Sequence, residues 1–331
     1  MFFDENLIIE KICEKLDQMI DVNEKIAIAV SGGVDSLFLA FILANYYKIN
    51  FDISNIFCVI VDHDLRPNSK SDALFTKSMI KKFGINNSEI IKWKHEKITA
   101  GIEQKARDAR YEIFSEFCEK NGIKKIFLGQ HLDDNIETFL MNSFRKSGIL
   151  GLGGMIEKVE KGNMIVMRPL LDLPKAKILK FMLDNKISWV EDETNKDTAF
   201  TRNKFRSLIA NLNLDDQDYS KINGTISAIQ DVNSMIFSEI DEFIATNCEI
   251  KSPPANEISL NRSGFLGLHR VKQLYTIYKI YNTLEIKDKP RAEQIEDFCF
   301  ILKSFKGDES RNIHFAGLRV AIHLLEIVFT K

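Results

Sequence analysis

The stretch Ala29-Val-Ser-Gly-Gly-Val-Asp-Ser-Leu37 places two glycines, two serines and an aspartate between two apolar runs. The run before it, residues 25–30, is short and β-branched and ends at a glycine turn, which predicts a buried strand. The run after it, residues 37–44, is rich in Leu and Ala and predicts a buried helix. The turn between them exposes backbone N–H groups at a helix N-terminus. We therefore expect an anion site in this turn.

Strand-like and helix-like stretches alternate through the following part of the chain. Buried strands are predicted at residues 56–61, 90–93, 125–129 and 164–169, and helices at 69–83, 103–119 and 134–144, with Pro174 opening one more helix. This alternation predicts an α/β fold, a parallel sheet with helices on both faces. Ligands of such sheets bind at the carboxyl ends of the strands, and the polar motifs described below fall there.

The pattern changes near residue 212. Apolar residues then recur at spacings of three and four from Ile222 to Phe243, which predicts one face of a long amphipathic helix. Residues 251–256 interrupt the helical pattern, and further helical segments follow to about residue 305. Residues 313–329 are compatible with a small hairpin of strands. We predict two domains, residues 1–212 and a smaller, mostly helical domain at residues 213–331.

The charge of the chain is unevenly distributed. The 331 residues carry a net charge of −2, with 28% charged and 45% hydrophobic residues, the profile of a folded globular protein. From Lys251 onward, 13 Lys and Arg face 9 Asp and Glu, whereas the preceding part has 32 against 38. A basic C-terminal part can bind a polyanion, and an acidic N-terminal part can bind a cationic group. An ordinary solvated surface explains the same counts.

Several classes of protein are disfavoured by composition. The N-terminus lacks a basic region and a small-residue cleavage site, and no apolar run reaches about 18 residues, so neither a signal peptide nor a membrane span is expected. The five cysteines lie far apart in apolar patterns and form no Cys-x-x-Cys, which argues against a disulfide framework or a zinc site. We predict a cytoplasmic protein without a membrane partner.

The loop at residues 31–36 matches neither a Walker loop nor a dinucleotide fingerprint, because it lacks Gly-Lys-Ser/Thr and Gly-x-Gly-x-x-Gly. It can still form a nest for pyrophosphate: its two glycines let the backbone approach closely and its two serine hydroxyls donate. Asp35 is unsuited to a direct phosphate contact, but it is suited to Mg²⁺ or to a cationic group beside the phosphates. The alternative is a tight turn with no ligand.

The loop Ser-Gly-Gly-x-Asp-Ser resembles the PP-loop of the N-type ATP pyrophosphatases, which cleave ATP between its α and β phosphates. Six further segments resemble, in order, the signatures of one member family, the tRNA(Ile)-lysidine synthetases. They are VDHDLRPNS (61–69), GIEQKARDARY (101–111), GQHLDDNIETFLM (129–141), RPLL (168–171), WVEDETN (189–195) and TRNKFR (201–206). The resemblance covers roughly residues 24–210 and is weak beyond residue 212.

This resemblance implies a Rossmann-like PP-loop ATPase fold and a reaction. The family adenylates the wobble cytidine of a tRNA(Ile) with a CAU anticodon, using ATP and Mg²⁺. The ε-amine of free L-lysine then displaces AMP to give lysidine, and pyrophosphate is the other product. By this resemblance residues 1–212 are the catalytic domain and residues 213–331 bind tRNA. Whether the protein is a homodimer is left open.

The resemblance also implies site residues. ATP contacts are expected at Ser31, Gly32, Gly33, Val34, Asp35, Ser36 and His63. Asp35 is expected to hold Mg²⁺, and Arg107, Arg110 and the loop would supply positive potential for the phosphates. Arg107 and Arg110 lie at i and i+3 of one predicted helix, so both can face the same site. Alternatively, they are surface arginines paired with Glu103 and Asp108.

A polar cluster follows the strand at residues 125–129. Asp134 and Glu137, at i and i+3 of the next helix, share a face and are expected to bind the lysine ammonium. Asp35, Arg107, His131 and Asp134 are the expected catalytic residues, with His131 a candidate base near neutral pH or a structural histidine. Acidic residues also suit a first helical turn, which explains one carboxylate better than three.

The segment TRNKFR supplies Arg202, Lys204 and Arg206, which are expected to contact tRNA or a substrate phosphate rather than to form only a solvated basic face. Two positions depart from the family pattern: Gln130 stands where a histidine is usual, and Lys146 where a glycine is usual.

Three other functions compete with lysidine synthesis. A tRNA thiolase of the same superfamily is the alternative reading, although such enzymes use cysteines for sulfur transfer or an iron–sulfur cluster. An amidating synthetase would need an ammonia source, and no glutaminase-like nucleophile is apparent. A non-catalytic tRNA-binding protein would not need the intact loop at residues 31–36.

Overall fold

The computed structural model describes residues 2–64, 67–95, 102–145, 148–191, 201–212, 214–251, 256–286, 289–305 and 310–331. The chain divides into two compact units. The first comprises Met1–Met141 and Gly154–Gly224, and the second comprises Asn142–Gly153 and Thr225–Lys331. The first unit thus continues past the boundary expected at residue 212, and the short segment before Gly154 belongs to the second unit.

A six-stranded sheet with the order β3-β2-β1-β4-β6-β5 forms the centre of the first unit. Its strands are β1 (Ile26–Ala29), β2 (Ile56–Asp62), β3 (Asn87–Lys92), β4 (Lys125–Leu128), β5 (Lys158–Lys161) and β6 (Met164–Met167). Every pairing is parallel except that of β5 with β6. The predicted parallel sheet is therefore confirmed, with an added antiparallel edge. Strand β5 escaped prediction because its sequence, Lys-Val-Glu-Lys, lacks a buried apolar run.

The helices of the first unit follow the expected alternation. They are α1 (Phe2–Met19), α2 (Val34–Asn50), α3 (Ser69–Lys82), α4 (Ile102–Asn121), α5 (Leu132–Phe144), α7 (Lys175–Asp184), α8 (Thr201–Asn211) and the start of α9 (Asp216–Asn247). Two of the three divisions between the units fall inside helices, one in α5 and one in α9, and the third, between Gly153 and Gly154, follows α6.

Side chains of the parallel strands alternate between two apolar cores. Ile26 and Ile28 belong to a core shared with α1, α2 and α7, whereas Ala27 belongs to a second core shared with α4. Helices therefore cover both faces of the sheet, as predicted. Because both faces are buried, β1, β2, β4 and β6 carry polar side chains only at their ends, at Asp62 and Lys125.

The second unit contains a five-stranded antiparallel sheet with the order β7-β8-β11-β10-β9. Its elements are α6 (Gly148–Leu152), the rest of α9, β7 (Cys248–Lys251), β8 (Glu257–Asn261), α10 (Arg262–Gly267), α11 (Arg270–Thr283), α12 (Ala292–Ser304), β9 (Arg311–Phe315), β10 (Leu318–Ile322) and β11 (Glu326–Thr330). Apolar residues of one sheet face pack with α11 and α12 around Tyr275, Tyr281 and Phe298. The predicted mostly helical domain is thus confirmed, and β7 and β8 extend the predicted terminal hairpin into a sheet.

Within the described residues, none of the helices is both long enough and apolar enough to cross a membrane.

Candidate functional site

The loop between β1 and α2 has the geometry expected of an anion nest. The Ser31 N–H donates to Ser36 Oγ at 3.2 Å, and Ser36 Oγ donates to the Gly33 carbonyl at 3.0 Å. Gly33 is the N-cap of α2 and forms no side-chain cap, so the first N–H groups of this 17-residue helix carry no capping side chain. Uncapped N–H groups and the helix dipole together favour an anion at this point.

Two glycines allow other segments to approach this loop closely. Gly32 has φ +89°, and a Cβ there would lie 2.2 Å from Thr76 Oγ1 on α3. Gly129, directly after β4, would place a Cβ 2.7 Å from the Asp35 carbonyl oxygen. The ends of β1 and β4 are therefore brought together by glycine, and the residues that follow β4 reach the loop.

Residues 189–191 also contact the loop. The Val190 N–H donates to the Gly32 carbonyl at 2.9 Å. The segment WVEDETN therefore contacts the loop through Val190, and its residues 192–195 lie outside the described part of the chain.

His131 lies at the centre of a carboxylate cluster beside the loop. Its Nε2 is 3.6 Å from Asp35 Oδ2 and 3.5 Å from Asp134 Oδ2, and its Nδ1 is 3.4 Å from Asp133 Oδ2. The side chain of His131 is only 3% exposed. The expected association of Asp35, His131 and Asp134 is therefore present in the structure.

The environment of His131 makes it a cation. Burial alone would lower its pKa, but Asp133, Asp35 and Asp134 outweigh burial and raise the pKa to about 10. An imidazole that is protonated at neutral pH cannot accept a proton, so this geometry argues against His131 as the base. It favours His131 as fixed positive charge next to the loop.

Asp133 is held by hydrogen-bond donors from two elements, α7 and α9. The Lys175 N–H at the start of α7 donates to its Oδ2 at 2.8 Å, and the Tyr219 hydroxyl on α9 donates to its Oδ1 at 2.8 Å. Burial raises the pKa of Asp133, but His131, Lys175 and Tyr219 together lower it to about 2. Asp133 therefore orients His131. Neither Lys175 nor Tyr219 was predicted, although Pro174 in front of Lys175 marked that helix start.

One carboxylate oxygen of Asp35 forms an ion pair, and the other has no hydrogen-bond partner among the described residues. Its Oδ2 lies 3.5 Å from Lys175 Nζ, and His131 and Lys175 lower its pKa against the opposing effect of burial. Its Oδ1 is buried and has no hydrogen-bond partner within the described residues. No three His, Cys, Asp or Glu side chains of that part of the chain could hold a metal by themselves. Asp35 is thus suited to a cation that takes its other ligands from elsewhere.

Arg206 pairs with the two carboxylates expected to bind lysine. Its Nε is 2.7 Å from Glu137 Oε1, and its Nη2 is 3.4 Å from Asp134 Oδ1. Glu137 is 3% exposed, so Arg206 compensates a buried charge. In this structure the Arg206 guanidinium belongs to the carboxylate cluster, and its expected contact with tRNA or a substrate phosphate stays a prediction. Lys204 is exposed, and the side chain of Arg202 lies outside the described residues.

The two arginines of α4 lie near different groups. Burial of His63 and, to a smaller extent, the positive charge of Arg110 lower the pKa of His63 to about 4. Arg107 instead lies 5.9 Å from the ring of Tyr111. The structure therefore associates Arg110 with the expected nucleotide residue His63, whereas Arg107 belongs to another group of cations.

The departure at Gln130 has a structural explanation. Its Oε1 accepts a hydrogen bond from Nε of the buried Arg168, which also donates to the Ile156 carbonyl at 2.8 Å. An uncharged acceptor at this position accommodates Arg168. Lys146, the other departure, lies outside the described residues.

The loop and the strand order point to a known family, and a direct comparison decides it. The family model of the PP-loop domain matches residues 7–212. The chain belongs to the PP-loop family. The PP-loop is the segment Ser31–Ser36, and the PP-loop domain includes every residue of the carboxylate cluster except Tyr219.

Two curated relatives of this PP-loop chain are tRNA(Ile)-lysidine synthases. A tRNA(Ile)-lysidine synthase of Wolbachia pipientis wMel is 36% identical over 187 residues, covering 56% of this chain and 43% of that protein. A tRNA(Ile)-lysidine synthase of Rickettsia bellii is 30% identical over 248 residues, covering 75% of this chain and 54% of that protein. The chain spans about half the length of the curated relatives it matches.

Among solved structures, the U34-tRNA thiolase NcsA from Methanococcus maripaludis, determined with its iron–sulfur cluster, has a TM-score of 0.56 and 18% identity. The match covers 68% of this chain and 80% of that protein. At this identity the likeness supports the PP-loop fold alone.

Proposed function

We propose that the protein ligates free L-lysine to the wobble cytidine of a tRNA(Ile) with a CAU anticodon. In the first step the carbonyl oxygen of the base attacks the α-phosphorus of ATP, and pyrophosphate leaves. In the second step the ε-amine of lysine attacks the ring carbon that carries the adenylated oxygen. The bond between this carbon and the oxygen breaks, AMP leaves with the oxygen, and the amine loses a proton. The product is lysidine.

The PP-loop supports the first step. Its uncapped N–H groups and the Ser31 and Ser36 hydroxyls would hold the departing pyrophosphate. His131, kept cationic by its carboxylates, adds positive charge beside Asp35. His63 and Arg110 would lie on the nucleotide side of this site.

The carboxylate cluster is the observation that carries the assignment of an amine acceptor. Asp35, Asp133, Asp134 and Glu137 face three cations, His131, Lys175 and Arg206. One negative charge remains in excess, and it would be balanced by a substrate ammonium or a metal. In the absence of lysine, Arg206 neutralises Glu137 and Asp134, so the arriving ammonium would share or replace that contact.

Mg²⁺ fits the open oxygen of Asp35. Mg²⁺ is commonly bound by one or two carboxylates together with phosphate oxygens and water. Bound there, it would neutralise charge on the phosphates of ATP. Asp35 is the residue of this chain that would hold it, and Lys175 would keep the Asp35 side chain in place.

The cysteines give no support to the alternative, a tRNA thiolase. Cys58, Cys118 and Cys299 are buried and Cys13 and Cys248 partly buried, and all five are free thiols. Burial raises the pKa of Cys118 and of Cys248 to about 11, which suppresses the thiolate needed for sulfur transfer. None of these thiols belongs to the carboxylate cluster.

Recognition of tRNA is proposed for the exposed Lys204 and for the second unit, whose part of the chain carries the excess of Lys and Arg from Lys251 onward. Neutralising phosphates with these side chains would release counterions and give salt-dependent binding. The cytoplasmic location and a homodimer stay predictions.

The test is incorporation of labelled lysine into unmodified tRNA(Ile) with a CAU anticodon, with ATP and Mg²⁺. Methionine tRNA with the same anticodon triplet serves as the substrate control. Asp35→Asn removes the charge that would hold Mg²⁺ and should lower incorporation by about 100-fold or more. Asp64→Asn, at an exposed carboxylate after β2, is the matched control.

Lysine incorporation that requires ATP, spares methionine tRNA and is lost only in the Asp35 variant would support the proposal. Release of pyrophosphate without lysine transfer would point to another acceptor. Absence of both from a folded protein with intact tRNA would exclude the enzyme assignment.

A further inference from the structure

Three cations converge on Tyr111, away from the carboxylate cluster. Lys161 Nζ, at the end of β5, lies 3.3 Å from the centre of the Tyr111 ring. Arg107 lies 5.9 Å from the same ring, one turn earlier on α4. Arg168 Nη2, after β6, donates to the Tyr111 hydroxyl at 3.4 Å. Three separate elements thus place positive charge around one buried aromatic side chain.

These charges are not neutralised within the described residues. Arg168 is 6% exposed, and its three hydrogen bonds go to Gln130, the Ile156 carbonyl and Tyr111, which are all uncharged. Neither Arg107 nor Lys161 forms an ion pair in that part of the chain. The carboxylate of Asp108, whose charge acts on Lys161, accepts two hydrogen bonds from Gln104 and forms no ion pair with either cation among the described residues. Partial burial, followed by the charges of Arg107 and Arg168, lowers the pKa of Lys161 against the opposing effects of Tyr111 and Asp108.

The position of Lys161 is fixed by the hairpin that carries it. In the β5–β6 turn, Asn163 Oδ1 accepts a hydrogen bond from Ser115 Oγ on α4 at 2.6 Å. The turn is thereby tied to the same helix that carries Arg107 and Tyr111. The cation–π contact with Tyr111 further restricts the Lys161 ammonium. This arrangement is organised before any ligand arrives, which reduces the entropy that binding would cost.

We propose that Arg107 and Lys161, reinforced by the buried Arg168, form a second anion site that binds a backbone phosphate of the RNA substrate. The inference rests on the proposed function, because that function supplies the RNA. A guanidinium and an ammonium on two adjacent elements suit one phosphate group, and Arg168 adds potential without a contact of its own.

An RNA phosphate fits this site better than a phosphate of ATP. The PP-loop already offers uncapped N–H groups and hydroxyls for pyrophosphate. Arg107 and Lys161 are both exposed, so a macromolecule can reach them. The part of the chain before Lys251 is acidic in sum, with 32 Lys and Arg against 38 Asp and Glu, so an unneutralised group of cations there is a local exception.

The experiment measures the affinity of the full chain for unmodified tRNA(Ile) between about 50 and about 200 mM salt. Lys161→Gln removes one charge, Lys161→Arg keeps it, and Lys158→Gln is the matched control. Lys158 is an exposed lysine on the same strand, three residues away and therefore on the other face. Thermal unfolding of each variant checks that the hairpin remains folded.

We expect Lys161→Gln to weaken tRNA binding about three- to tenfold and to reduce the slope of log affinity against log salt concentration by about one. The tRNA affinities of Lys161→Arg and Lys158→Gln should stay close to that of the unaltered protein. Equal affinity of the Lys161→Gln and Lys158→Gln variants would overturn the site while leaving the proposed function intact. Failure of the unaltered protein to bind tRNA would overturn both. A raised KM for ATP with tRNA affinity unchanged would assign the site to a nucleotide phosphate and overturn the RNA assignment.

Discussion

Two buried cations, His131 in the first unit and Arg262 in the second, are compensated in opposite ways. In the first unit, three carboxylates lie within 3.6 Å of His131. In the second unit, Arg262 is 8% exposed and donates only to backbone carbonyls among the described residues: those of Leu302, Phe305 and Leu324.

The difference separates a chemical role from a structural one. The Leu302 and Phe305 carbonyls lie at the end of α12, and Leu324 lies in the β10–β11 turn, so Arg262 joins a helix terminus to a turn through neutral acceptors. His131 is instead one member of a network that retains an open oxygen on Asp35. A buried cation among carbonyls stabilises a fold, whereas one among carboxylates next to an anion nest prepares a site.

The largest effect is expected on activity. Replacing His131 with Gln should lower ATP-dependent pyrophosphate release about 100- to 1,000-fold, because it removes the positive charge beside the PP-loop and leaves three carboxylates without it. Pyrophosphate release with tRNA and lysine present measures this. His314→Gln, at an exposed histidine of β9, is the control. Activity within about threefold of the unaltered protein would mean that His131 is only structural.

The second effect is expected on stability. Arg262→Met keeps much of the side-chain volume but leaves three carbonyls without their donor, which should lower the free energy of unfolding by about 2 to 3 kcal/mol. Denaturant unfolding measures it, with Arg319→Met at an exposed site on β10 as control. If both variants are equally stable, Arg262 does not hold α12 to the turn.

The parallel sheet was predictable and the antiparallel one largely was not, for a physical reason. Strands β1, β2, β4 and β6 are buried on both faces and therefore appear as continuous apolar runs. Strand β8, Glu-Ile-Ser-Leu-Asn, contains only two apolar residues and is too short for its alternation to stand out. Strand β7 directly follows the 32-residue helix α9, so the helical spacing of apolar residues in α9 hides the start of the strand in the sequence.

The candidate site shows the same division. The grouping of Asp35, His131 and Asp134 follows from motifs at the ends of adjacent strands, β1 and β4. The Tyr219–Asp133 bond and the Arg206–Glu137 pair join residues 86 and 69 positions apart, and no local motif announces either partner. Protonation of His131 depends on all three surrounding carboxylates at once, so its role as a cation required the assembled geometry.

The smallest expected effect compares one deleted hydroxyl in each unit. Tyr219 donates to the ionised Asp133 at 2.8 Å, and Tyr281 donates to the Phe315 carbonyl in the core of the second unit at 2.6 Å. Each Tyr→Phe substitution removes one hydrogen bond, worth about 1.5 to 3 kcal/mol for the charged acceptor Asp133 and about 1 kcal/mol for the neutral carbonyl. In Tyr219→Phe we expect kcat to fall about fivefold with the KM for ATP little changed, because Asp133 then holds His131 less firmly.

Tyr281→Phe should instead lower the free energy of unfolding by about 1 kcal/mol with kcat unchanged, because its acceptor is a neutral carbonyl in an apolar core. Steady-state kinetics and denaturant unfolding of both variants separate the two cases. If Tyr219→Phe changed only stability, the contact of α9 with Asp133 would be a packing feature, and the catalytic network would end at Asp133. A fall in kcat would extend that network to Tyr219, beyond the residues that match the PP-loop domain.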